Sequence, residues 1–166
     1  PAYTDFTIAS NLGQATMGES HGAARKIEVD VRSMDEVCKP GEGVPSPDFL
    51  SIDVEGAELD VLRGAKRLLQ NSVVWLRSEM WIHQVYQGSE TFEKSLGYLT
   101  KAGFDLYHME PYGGYEADQL SLGMHGTGQT LGAEIDFHRR VQDLLDQGDT
   151  DPSAAILKLY KLALLA

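Results

Sequence analysis

The chain has 166 residues, 42% of them hydrophobic and 23% charged, a balance that supports a folded core and argues against extended disorder. A formal charge of −11, with 14 Lys and Arg scattered along the chain, argues against a nucleic-acid partner, and the lone Cys38 excludes an internal disulfide or a cysteine metal cluster. The C-terminal "AAILKLYKLALLA" is interrupted by Lys158 and Lys161 and falls short of the about 20 residues that span a bilayer.

The start, "PAYTDFTIAS", has neither the basic region nor the apolar run of a signal peptide, so the expectation is a cytoplasmic protein with no membrane partner. The length fits one domain over 1–166, with C-terminal helices over 141–166. In chain order, "FTIAS" (6–10) and "KIEVDVR" (26–32) alternate apolar and polar residues as half-exposed strands do, and "NLGQATMGESHGAA" between them reads as a loop. "SMDEVCK" predicts a short helical turn, ended by the prolines and glycines of "PGEGVPSP". "DFLSID" predicts a strand, 54–70 a helix with Leu59, Leu62 and Leu69 on its buried stripe, and "VVWLRSE" (73–79) another strand. A helix over 90–103 closes on Gly103, followed by a strand at "FDLYHME". After the glycine-rich "PYGGYEADQLSLGMHGTGQ", the alternation of "LGAEIDFHR" predicts a last strand, and two helices follow, the second with Pro152 in its first turn.

Strands alternating with helices through short links predict an α/β fold with a mostly parallel sheet. Ligands of such sheets bind beyond the carboxyl ends of the strands, where Asp53 and Glu79 fall. A carboxylate ending an apolar strand bears a desolvation cost unless a ligand, metal or hydrogen bond compensates. Glu58 reads first as a helix-start carboxylate favoured by the dipole, and Gly56 as a point of close backbone approach.

These residues resemble a known family. "DFLSIDVEGAELDVLRGAKRLL", then "VVWLRSEMW" and "LTKAGFDLY", is similar to the second half of the FkbM-type methyltransferases, whose hallmark is a strand ending in Asp, then Val-Glu-Gly-Ala-Glu and a helix with Leu-Arg-Gly-Ala. "DVRSMDEV" and "GAEIDFHRR" fit the same order, so the resemblance runs over about residues 6–140 and is strongest over 48–110.

The resemblance implies a Rossmann-like class I sheet and methyl transfer from S-adenosylmethionine, usually to a hydroxyl on a sugar or natural product. It places Asp53 and Gly56 toward the cofactor, Asp53 and Glu55 along the reaction cleft, and Glu79 with His83 on the second wall as a base; His83 reads equally well as a surface histidine. Trp81 and Tyr86 read as packing residues. The family's glycine-rich cofactor loop is not found ahead of these motifs, and "GMHGTG" (123–128) lacks the right spacing. The chain therefore reads as the C-terminal part of a methyltransferase domain, incomplete on its N-terminal side, with weak or absent cofactor binding. That would leave the "FLSID" strand with an open edge on which another copy could pair. Two rival readings remain: a divalent-metal enzyme using Asp53, Glu55, Glu79 and Glu110, and a non-catalytic module that associates through its C-terminal helices.

Overall fold

The computed structural model describes residues 2–9, 15–17, 24–41, 43–84, 88–115, 129–148 and 151–166. The predicted loop 123–128 and Tyr86 lie outside them.

The amino-terminal part forms a three-stranded antiparallel sheet in the order β2-β1-β3, from β1 (Ala2–Ala9), β2 (Ala15–Met17) and β3 (Ala24–Val31). This corrects two expectations. The stretch read as a loop contains β2, and neither expected strand joins a parallel sheet. The reason is connectivity, since antiparallel neighbours need only a short link whereas parallel ones need a crossover of a dozen residues or more. No helix intervenes between β1 and β3 among the described residues to supply one.

A second sheet of four strands carries the core. Its order is β4-β5-β7-β6, with β4 (Phe49–Ile52), β5 (Trp75–Trp81), β6 (Phe104–Tyr115) and β7 (Gln129–Arg139). Only β4 and β5 pair in parallel; β7 runs antiparallel to both β5 and β6. The expectation of a mostly parallel sheet is thus corrected to a mixed one, although β4, β5 and β6 share one direction. Helices cover one face, where Leu50, Ile52, Leu76, Met80, Ile135 and Phe137 pack against Leu59, Leu62, Leu68, Leu69 and Leu99.

The helix expected over 54–70 is in fact two, α2 (Glu58–Gly64) and α3 (Lys66–Asn71), preceded by a turn. A remote cap explains the break. The Asp35 carboxylate, on the short α1 (Met34–Val37), accepts the backbone N–H groups of Arg67 at 2.7 Å and Leu68 at 3.1 Å, the orphan donors of a new helix start. Just before the break, a Cβ on Gly64 would stand 3.2 Å from that of Ser33, so glycine lets α2 and α1 approach. Ser33 and Glu36 complete a capping box on α1. Helix α4 (Phe92–Lys101) ends as expected at Gly103, whose φ of +87° suits glycine.

The other face of the sheet is partly covered by α5 (Val141–Gly148) and α6 (Pro152–Leu165), whose Leu144 and Leu162 pack on Trp75. Lys161 bonds Asp48 at 2.6 Å, and the Tyr107 hydroxyl donates to the Ala166 carbonyl at 3.0 Å. Tyr107 can turn there because it is an extra residue: Leu106 pairs with Phe137 and His108 with Asp136, leaving a bulge between them. No helix among the described residues is long and apolar enough to cross a membrane.

Candidate functional site

The parallel pairing of β4 with β5 sets the site. Ile52 lies beside Ser78, so the next residue on each strand brings Asp53 beside Glu79. Side chains alternate along strands, so both project on the face opposite the core leucines. Strand β5 runs on to Trp81, two residues past its predicted end, and Glu79 therefore stands within the strand rather than at its tip.

Asp53 opens a turn over 53–57 in which the chain reverses into α2. Glu55 has a φ of 55° and Gly56 one of 105°, and Glu55 is the one non-glycine residue with positive φ among those described. Holding a glutamate there costs on the order of 1–3 kcal/mol, so the surroundings must enforce it. Glu58 does this. Buried to 4% exposure, its Oε1 accepts the N–H of Gly56 at 2.9 Å and of Val54 at 3.3 Å. It makes no cap for its own helix, whose N-cap, Ala57, has no side-chain hydrogen bond. Glu58 thus starts α2 as expected, and its carboxylate also ties down the turn that precedes the helix.

The result is a convergence of acids. One carboxylate oxygen from each of Asp53, Glu55 and Glu79 lies within 4.8 Å of the others, Asp53 exposed and the two glutamates half-buried. Gly56 sits in the same turn. His83 lies on the exposed bend after β5, outside this cluster. Glu110 does not join it either: Glu110 pairs with Glu134, and Glu134 with Glu79, which leaves Glu110 two strands away, about 10 Å. Trp81 projects from β5 on the same face as Glu79 and is half-buried.

One register step below Glu79, Arg77 and Asp136 form a forked ion pair, with Nε to Oδ1 at 2.9 Å and Nη2 to Oδ2 at 2.7 Å. The Trp75 indole donates to the same Asp136 Oδ1 at 3.0 Å. The guanidinium beside it holds the Asp136 carboxyl below the usual range despite its burial, and the carboxylate in turn raises Arg77. This pair fixes β5 against β7 directly beneath the acids. In the sequence, Glu134 and Asp136 appear only as the polar side of an alternating strand. Their partners on β5 follow from register, which a single sequence does not display.

Chemically, three acceptor-only groups at one spot favour donors and cations, such as hydroxyls, ammonium groups or metal ions, and disfavour phosphates. The comparisons narrow this further. Residues 2–106, more than half of the chain, match the methyltransferase FkbM domain. The chain is also similar to methyltransferase sdnD of Sordaria araneosa, 37% identical over 73 residues that cover 37% of this chain and 28% of that protein. The match thus spans little more than a quarter of the length of that relative. No solved structure matches the chain.

Proposed function

The chain belongs to the methyltransferase FkbM family, and from that premise we propose that it serves in methyl transfer from S-adenosylmethionine to a hydroxyl on a sugar or another natural product. The observation that carries this reading is the convergence of Asp53, Glu55 and Glu79 beside two parallel strands. The shared direction of β4, β5 and β6 supports reading the sheet as part of a Rossmann-like class I methyltransferase sheet.

The donor set suits the cofactor, which presents an ammonium, ribose hydroxyls and a sulfonium to acceptor-only carboxylates. Asp53 would hold it, and Gly56, without a Cβ, would let it lie against the backbone. When bound, the cofactor supplies a methyl group on a positively charged sulfur. The chain's own residues would do the rest: Glu55 would accept a hydrogen bond from the acceptor hydroxyl and orient it, and Glu79, with His83 beyond it, would receive the hydroxyl proton as the oxygen–carbon bond forms and the carbon–sulfur bond breaks, the sulfur leaving as a neutral thioether.

The test is methyl transfer by this chain to a panel of hydroxyl acceptors. Asp53→Asn and Glu79→Gln are each expected to lower kcat/KM by about a hundredfold or more. Unchanged rates in both would overturn the assignment. Calorimetry with S-adenosylhomocysteine is expected to report weak binding, and a submicromolar constant would contradict that expectation. The proposal extends to partners: a saccharide or other small hydroxyl acceptor, and a second copy of the chain meeting the exposed face of α6 or the outer edge of β4.

One rival stands on the same observation. Three carboxylate oxygens within 4.8 Å could hold a hard divalent cation. A Mg²⁺-dependent rise in melting temperature that disappears in Glu79→Gln would favour it, whereas a melt indifferent to Mg²⁺ favours the methyl-transfer reading.

A further inference from the structure

We propose that Glu58 is the positioning residue of this site: without touching substrate, it fixes the turn that aims Glu55 at Asp53 and Glu79. The inference rests on reading those three carboxylates as the reaction site.

Glu58 is one of few charged side chains buried in the described part of the molecule, at 4% exposure. Burying a carboxylate is unfavourable unless hydrogen bonds replace water. Its contacts lie not along α2 but back across the turn, to Val54 and Gly56, the residues on either side of Glu55. The two amides of a left-handed turn are thereby gathered on one oxygen. Glu55, caught between them at a φ of 55°, cannot relax to the extended backbone that would swing its carboxylate away from the other two. Asp53 immediately precedes the first anchored amide, where the turn leaves β4. Both bonds end on Oε1, so the required property is one acceptor at one place rather than a negative charge.

That makes an inverted pattern of variants the diagnostic. Glu58→Gln loses the charge but keeps a carbonyl oxygen at the same reach, whereas Glu58→Asp keeps the charge and withdraws the oxygen by one methylene. Glu58→Ala removes both. A base or a merely electrostatic group would rank them in the opposite order.

The experiment uses terbium(III) as a probe of carboxylate convergence on the whole chain, read by calorimetry as the binding component that Glu79→Gln abolishes. Glu58→Gln is expected to bind terbium within about threefold of the parent, and Glu58→Asp to bind at least tenfold more weakly. Glu58→Ala should behave as Glu58→Asp does, and if it does not fold, the Asp and Gln variants decide alone. Equal binding by all variants, Gln as weak as Asp, or no such component in the parent chain would each overturn the proposal. Methyl transfer measured in parallel separates this from the functional reading. With transfer active, Glu58→Asp should lower kcat more than it raises the acceptor KM, and Gln should restore kcat. A chain with no transfer that still shows the terbium pattern would sink the proposed reaction and leave the positioning role standing.

Discussion

A glutamate at a φ of 55° stays there only because its neighbours hold it, and the residue after it, Gly56 at 105°, has no side chain to object. Gly56→Ala is therefore expected to destabilise the chain by about 1–2 kcal/mol in urea unfolding and to lower methyl transfer along with it. Asp136 offers a second test. Its bonds from Arg77 and Trp75 join β5 to β7, and Asp136→Asn is expected to cost about 2 kcal/mol. Because Arg77 depresses its titration below an ordinary aspartate's 3.8, the pair's contribution is complete above pH 3.8 and is lost as acid takes the pH down through the lowered value. A melt series from pH 7 to pH 2 should thus show the parent and Asp136→Asn converging only at the acidic end. At this scale the sequence was informative about residue type and poor about partners. The sequence set Asp53 and Glu79 on neighbouring strand ends, and the structure brings them together although Glu79 lies inside β5; nothing near Glu58 in the chain announced that it would reach backward to Val54 and Gly56.

Elements were legible where their pattern is local. The alternation of "LGAEIDFHR" marked β7, whose Ala133, Ile135 and Phe137 are buried, and the apolar run that opens "VVWLRSE" marked β5. Pro152 marked the start of α6, and Asp151 caps it by accepting the Ala154 N–H at 3.1 Å. What escaped was set at a distance. The split between α2 and α3 depends on Asp35, 32 residues before the first amide it accepts. Asp35→Ala is expected to cost about 1–2 kcal/mol, with hydrogen exchange quickening first at the amides of Arg67 and Leu68. The order β4-β5-β7-β6 escaped for the same reason: alternation reports that a segment is a strand, while its neighbour and direction are chosen by the packed whole.

At the scale of the whole molecule, two surfaces among the described residues bear on the proposed self-association. Along α6, Ile156, Tyr160 and Leu164 are each more than 60% exposed and follow one another at helical spacing. The outer edge of β4 has no strand partner among the described residues. Light scattering is expected to report a dimer in which Ile156→Glu combined with Leu164→Glu restores the monomer; a dimer that survives those changes would implicate the β4 edge instead. A charge of −11 spread over the rest of the chain makes an uncharged helix face the easier place for two copies to meet.

The bulge in β6 is, in effect, a spare residue. Every pairing beyond it, Glu110 with Glu134 included, already sits in the register that a plain ladder would have if position 107 were cut from the gene. Excising that codon should therefore straighten the strand without turning any side chain over, and the loss would fall on the ring packed against Trp75 and on the hydroxyl that tethers Ala166. A shortened chain of this kind would keep its acids in place while its last helix frays.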